Sequence, residues 1–294
     1  MCRLLGYSKQ AYYKQLQHQQ RQELDEHLIV GLIEKKREIW KAGSGRNLFM
    51  SLQKDFKHHR IKIGRDKFFD LLRRRGLLRK LRRRKVKTTD SYHRYHKYPN
   101  LIKGKVPQKA NEIWVSDITY LWLRDNTSFC YLFLITDLYS RKIIGYCVSK
   151  TLQAEGAIIS LKMAMKKIKN STLENCIHHS DRGMQYCCDQ YIATLKNKRL
   201  QVSMTENRDP LENAVAERVN KTIKEEFTDE KELSFGDFDI ATREIKRFID
   251  FYNTQRPHRS INWLTPDQAH MLKGELKRRW RAYYKSKKGS FTKA

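Results

Sequence analysis

Three acidic residues stand out by type and placement: Asp117 in EIWVSDITYLWL, Asp181 in CIHHSDRGMQY and Glu217 in LENAVAERVNKTIKEEF. Carboxylates offer hard, anionic oxygens, and a set drawn from separate elements can hold two Mg²⁺ about 3.5 to 4 Å apart. Such a pair activates an attacking oxygen on one side of a phosphodiester and stabilises the leaving oxygen on the other. Asp117 shares the period-two face of Ile113, Val115, Thr119 and Leu121, in a run apolar enough for a strand buried on both faces. An ionised carboxylate there is costly unless a cation or strong donors meet it. Asp181, taken alone, also reads as an ordinary turn residue before Arg-Gly. Glu225 and Glu226 rival Glu217 but sit later in the same segment, and His178 and His179 read as packed neighbours rather than ligands.

The elements that must position these acids follow from periodicity. EIWVSDITYLWL reads as a first strand, and FCYLFLITDLYSRKIIGYCVSK reads as two more joined by a turn at Leu138 to Lys142. AEGAIISLKMAMKKIK has helix composition, CIHHS is a short strand ending at Asp181, QYIATLKNKR is a helix and RLQVSMT a strand. In the next helix Val215, Val219, Ile223 and Phe227 recur every four residues as a buried stripe. Glu217 lies about 200° around that helix from Val215, with Asn213, Lys221 and Lys224 on its side. Three strands, then helix, strand, helix, strand, helix, is the element order of a ribonuclease-H-like α/β fold.

Charge narrows the partners. Lys and Arg number 61 against 32 Asp and Glu, a formal net charge of +29. The natural counterpart of so positive a surface is a polyanion, whose neutralised phosphates release counterions. The excess peaks at Arg73, Arg74, Arg75, Arg79, Lys80, Arg82, Arg83, Arg84 and Lys85, a run without an acid between them. Before it, apolar stripes (Ile29, Leu32, Ile33; then Leu48, Phe49, Leu52, Phe56; then Phe68, Phe69, Leu71, Leu72) predict helices, the third capped by Asp66 and stopped at Gly76. Two short helices around a turn, followed by a basic arm, suggest a helix-turn-helix that binds double-stranded DNA. Arg256 and His258, in the loop QRPHRSINWLTP, are further candidates for DNA contact.

The chain thus divides into a helical DNA-binding region over 1–87, a linker over 88–110 punctuated by Pro99, Gly104 and Pro107, a catalytic core over 111–232, and a helix, loop and basic tail over 233–294. Six cysteines without a C-x-x-C pair point to free thiols in a reducing compartment and exclude a zinc finger. No stretch approaches the roughly 20 apolar residues of a membrane span, and no signal peptide is evident, so a cytoplasmic, nucleoid-associated protein is expected.

The motifs WVSDITY, DLYSRKIIGY, HSDRGMQY, SMTENRDPLENAVAERVNKTIKEEF and FYNTQRPHRSINWLTPDQA resemble, in order, the integrase core of bacterial insertion-sequence transposases. The resemblance is to the OrfB product of the IS-three family, and MCRLLGYSKQAYYK with the helical zone is similar to that family's N-terminal region. It implies a mixed five-stranded sheet flanked by helices, with an N-terminal all-α helix-turn-helix domain. It carries the family's DDE triad onto Asp117, Asp181 and Glu217, with 35 residues between the last two. The implied activity is cleavage at the element's ends and attack of the freed 3′-hydroxyl on DNA, with Mg²⁺ as cofactor and Mn²⁺ as a substitute. The implied partners are terminal repeats, target DNA, an OrfA subunit or OrfA fusion, and further copies of the chain. Arg208 and Lys221 depart from the family pattern, each standing where glycine is usual. Two other readings share part of the pattern. One is a non-catalytic DNA-binding regulator or inactivated remnant; the other is a ribonuclease-H-like nuclease acting on RNA–DNA hybrids.

Overall fold

A computed structural model describes residues 8–78, 94–124, 128–166, 168, 173–206, 210–227 and 234–276. Arg79, Lys80, Arg82, Arg83, Arg84, Lys85 and Arg208 lie outside the described residues, as does the tail from 277 onward. Helix α1 (Lys9–Arg37) starts at Ser8, whose hydroxyl accepts from the Ala11 amide at 3.1 Å. The break expected at AGSGRN is present: Ser44 caps α2 (Gly45–Ser51), which runs into α3 (Gln53–His58) and then α4 (Arg65–Arg74). Gly64, not Asp66, is the N-cap of α4. Asp66 sits one turn in, where a negative charge still favours the positive helix end, and pairs with Arg65 at 2.9 Å. Gly76 ends the segment with φ of 64°, a conformation that costs glycine little.

The sheet is mixed, with strand order β3-β2-β1-β4-β5. Strands β1 (Ile113–Leu123), β2 (Phe129–Asp137) and β3 (Ile143–Ser149) form an antiparallel meander. Strands β4 (Ile177–Ser180) and β5 (Gln201–Met204) run parallel to β1 on its other side. The five-stranded sheet implied above is there, with one addition: the two-residue β6 (Ser234–Phe235) pairs with Trp122 and Leu123.

Two helical layers cover the sheet. On one face α5 (Ala154–Lys166) and α7 (Asp189–Asn197), linked through the short α6 (Met184–Cys187), bury Trp114, Phe133 and Ile135. α5 comes so close to β3 that a Cβ on Gly145 would lie 2.1 Å from the Ser160 carbonyl oxygen, which explains the glycine in IIGY. On the other face α8 (Ala214–Glu226) and α9 (Phe238–Thr254) cover Leu121, Leu132 and Leu134. Ile29, Ile33, Trp40, Leu48 and Phe68 of the N-terminal helices belong to this same apolar cluster. The N-terminal helical region implied above is present, and its buried apolar side chains join the cluster on this face of the sheet. The described part of the linker also differs from a free connection. The Pro99 carbonyl accepts from the Met204 amide at 3.3 Å and the Leu101 amide donates to Ser203 Oγ at 2.9 Å, satisfying the open edge of β5.

One buried ion pair joins these parts. Glu226, the last residue of α8, accepts two bonds of 2.8 Å from the Arg256 guanidinium and one of 2.6 Å from Trp40 Nε1. Its backbone carbonyl accepts from the Ala42 amide at 3.0 Å. Arg256 is 4% exposed, so it is not a DNA-contact residue as its type suggested: its charge is consumed inside the fold. His258 follows it. The ring lies 3.0 Å from the guanidinium and meets Tyr252 edge to face, and burial, then Arg256, push its pKa well below the usual histidine range. A neutral, half-buried imidazole contributes no charge to a phosphate contact. No helix among the described residues is long and apolar enough to cross a membrane.

Removing one partner of such a pair leaves the other charge buried and alone, which costs about 3–5 kcal/mol. Arg256→Met is therefore expected to lower the urea unfolding free energy by about that amount. Glu226→Gln keeps an acceptor for Trp40 but leaves the Arg256 charge buried without its counter-ion, so a loss of similar size is expected. Equilibrium unfolding followed by tryptophan fluorescence measures both.

Candidate active site

Parallel pairing of β1 with β4 brings the first two acids near one another. Ile113, Trp114 and Val115 pair with Ile177, His178 and His179; beyond that point Asp117 continues along β1 while Asp181 follows the end of β4. Asp181 is close enough to act electrostatically on Asp117. Asp117 Oδ1 accepts from the Ile118 amide at 2.9 Å, and Oδ2 accepts from Asn220 Nδ2 at 2.8 Å. Burial, then the nearby Asp181 carboxylate, push Asp117 up to about 7; the two hydrogen bonds oppose this, and Glu217 adds to it.

Asp181 stands just past β4, where its Oδ1 accepts from the Gly183 amide at 3.0 Å. It therefore does form a local turn, as its sequence alone allows, while also bearing electrostatically on Asp117 and Glu217. Gly183, not Asp181, is the N-cap of α6. Glu217 lies exposed in the first turn of α8, its pKa raised by burial and then by Asp181. Two amides fix this helix to β1. Asn213, immediately before it, is buried and donates to the Ser116 carbonyl at 3.0 Å. Asn220, one turn beyond Glu217, holds Asp117. Asn213 was expected to face DNA; it faces the sheet, because α8 must be tied down at the point where it crosses β1.

Beneath the acids lies a buried polar layer. His178 Nε2 shares hydrogen bonds with Ser116 Oγ at 2.7 Å and Tyr191 OH at 2.9 Å, and His179 Nδ1 with Ser203 Oγ at 2.8 Å. Burial pushes His178 down to about 3 and His179 to about 4, so both are neutral and hold the strand ends rather than a metal. The Tyr186 hydroxyl is buried close enough to Asp117 and Asp181 to feel both, and has no hydrogen-bond partner among the described residues.

Basic side chains rim the site. Lys224, two turns beyond Glu217, has its pKa lowered by burial and held up by Asp117. Lys221 is exposed and lies 3.6 Å from Glu225. Glu226, a rival for the third acid, is turned away in its ion pair with Arg256. Farther off, Arg73, Arg74 and Arg75 are exposed at the end of α4. Arg73 pairs with Asp70 at 2.5 Å and Arg74 with Glu26 at 2.7 Å, so the acid-free run in the sequence is partly neutralised in space.

Asp117, Asp181 and Glu217 form an all-oxygen donor set suited to a hard divalent cation, and their mutual repulsion is what a cation would relieve. Among the described residues no three His, Cys, Asp or Glu side chains are gathered within ligand distance of one point. Glu217 is the exposed member of the set. Asn220 escaped the sequence reading. Its signal was the spacing of three from Glu217, but an amide on a charged helix reads as solvent-facing until the strand beneath it is known.

Known proteins match this architecture. Two models described as integrase core domain match residues 107–210 and 198–266. A protein from Shigella sonnei, the insertion element IS600 uncharacterized 31 kDa protein, is 30% identical over 271 residues, covering 90% of this chain and 96% of its own length. The transposase InsF for insertion sequence IS3A of Escherichia coli K12 is 34% identical over 207 residues, 67% of each chain. The transposase for insertion sequence element IS904 of Lactococcus lactis is 31% identical, covering 57% of this chain and 65% of its own length.

The raised pKa of Asp117 has a consequence for stability in the absence of metal. An acid whose folded pKa lies above its unfolded value binds more protons folded than unfolded between the two. Metal-free stability should therefore fall as pH rises from about 4 to 7 and level off above. Asp117→Asn is expected to flatten that slope and to raise stability at pH 8 by roughly 1–3 kcal/mol. Urea midpoints across pH, in EDTA, read the effect.

Proposed function

This chain belongs to the IS3-family insertion-sequence transposases, polynucleotidyl transferases built on an integrase core, and from that premise we propose that Asp117, Asp181 and Glu217 are its catalytic DDE triad. The observation that supports the assignment is the mutual proximity of the three acids: Asp181 and Glu217 both act on the buried Asp117, and Asp181 acts on Glu217 in the first turn of α8. A pair of Mg²⁺ bound by these carboxylates, with Mn²⁺ as a substitute, would activate the attacking oxygen and stabilise the leaving one. The remaining work falls to the chain. Asn220 holds Asp117 Oδ2 and so orients that carboxylate, and Asn213 pins the start of α8.

In the first step water attacks the phosphorus at an element end, the P–O bond to the 3′-oxygen breaks, and that oxygen leaves as a 3′-hydroxyl. In the second, the freed 3′-hydroxyl attacks a phosphodiester, forming one P–O bond as another breaks, with no covalent bond to protein. Lys221 and Lys224 flank the acids and suit the backbone phosphates of double-stranded DNA, at element ends and in the target. The exposed Arg73, Arg74 and Arg75, continued in sequence by the basic run from Arg79 to Lys85, suit a second contact zone. An OrfA subunit and further copies of this chain are proposed partners in the active complex.

The test uses a labelled end of the element that flanks this gene, incubated with Mg²⁺ and with OrfA present or absent. Nicked and joined strands are expected with the unaltered chain. Asp181→Asn and Glu217→Gln should each lower their rate by about a thousandfold or more, the loss of several kcal/mol of transition-state stabilisation. Full joining by Asp181→Asn would sink the triad assignment. Binding without cleavage under every condition would favour the regulatory reading. Separately, Lys221→Ala should weaken binding of DNA ends and reduce the slope of log affinity against log salt by about 1. Fluorescence anisotropy over a salt series checks this.

A further inference from the structure

Helix α1 spans 29 residues, yet only its C-terminal part is buried. Ile29 and Ile33 enter the core, whereas residues 8 to 24 are all exposed. Five large apolar side chains stand in or beside that exposed stretch: Tyr12 (51% exposed), Tyr13 (61%), Leu16 (38%), Leu24 (66%) and Leu28 (47%). At 100° per residue they fall within an arc of about 160°, on the side opposite Ile29 and Ile33. Nothing among the described residues covers this arc. An isolated stretch of helix is marginal in water, so a partner on this face would stabilise it.

Two features of the stretch say what that partner is. Tyr12, Leu16, Leu24 and Leu28 are disposed symmetrically about Gln20, so the same helix turned end for end presents the same ridge. The charges are ordered as well: Lys9, Lys14 and Arg21 precede Glu23, Asp25 and Glu26. That order is the reverse of what the helix dipole favours at an N-terminus. Arg21 lies beside the centre, so two such helices laid antiparallel about Gln20 set Lys9 and Lys14 of each toward the Glu23–Glu26 end of the other, with Lys14 level with Glu26, whereas a parallel pair sets like on like. The stretch is also balanced in charge within a chain of +29, whose copies repel one another elsewhere. Glu26 is tied to Arg74 at 2.7 Å, which anchors the acidic half to α4.

We propose that the leading half of α1 is a self-association surface that pairs antiparallel, centred on Gln20, with α1 of a second copy of this chain. The pairing gives the transposase two catalytic centres, one for each element end. It builds on that function for its purpose, but it is tested without DNA, so failure of the pairing and failure of the triad assignment are read in separate assays.

The experiment uses the full chain in a Cys2→Ser background, carrying Gln20→Cys or Leu16→Cys, under mild oxidation, with mass measured by light scattering. A dimer mass is expected. Gln20→Cys, on the two-fold axis, should cross-link to near completion. Leu16→Cys should stay at the level of the Cys2→Ser control, because its two copies lie about 12 Å apart along the helix. Mixing Leu16→Cys chains with Leu24→Cys chains should restore cross-linking. Leu24→Lys, which places a cation near the partner's Lys14, should yield monomers that keep the near-UV circular dichroism of the unsubstituted chain. A monomeric mass for the unsubstituted chain would overturn the proposal. So would Leu16→Cys cross-linking with itself as readily as Gln20→Cys, the signature of a parallel pair.

Discussion

A carboxylate in the middle of a central strand is the constraint around which this structure is arranged. Asp117 has β2 on one side, the end of β4 on the other and α8 above it, and burial, with the Asp181 carboxylate, pushes its pKa up to about 7. The fold does not neutralise it with a nearby arginine. It supplies one backbone amide and one side-chain amide, and then sets two more carboxylates within electrostatic reach. A purely structural acid would gain nothing from that company. Carboxylates that hold the protons of Asp117 and Glu217 more tightly suit a site that a divalent cation would complete.

Keeping the three acids together depends on how α8 is held. At its start Asn213 reaches the backbone of β1, in its middle Asn220 reaches Asp117 itself, and at its end Glu226 is locked by Arg256 and Trp40. The last of these contacts crosses from the catalytic half to the N-terminal helices. Asn253 of α9 adds a tie to β3, accepting from the Ile143 amide at 3.0 Å and donating to its carbonyl at 2.9 Å. The polar residues of YNTQR therefore hold strands and helices in place.

The succession of elements from β1 to α8 was legible because each carries a clean period: near-continuous apolar strands, then four-residue stripes such as Val219, Ile223 and Phe227. The strand pairing that brings Asp117 near Asp181 was not, since nothing local records which strands become neighbours. Arg256 and His258 show the limit most clearly. A guanidinium and an imidazole in a polar loop have the chemistry of a phosphate contact, and only the tertiary fold reveals that Glu226, 30 residues earlier, has already claimed the charge. The same holds for the N-terminal helices, whose apolar stripes announced a core without saying that it is shared.

The most direct measurement is a crystal structure of the chain bound to a DNA end in Mn²⁺, with the metal located by anomalous scattering. The account predicts two peaks about 3.5 to 4 Å apart. Asp117, Asp181 and Glu217 should supply their protein ligands, with Glu226 still in its pair with Arg256. Peaks absent at saturating Mn²⁺, or liganded by Glu225 or the histidines in place of Glu217, would contradict it.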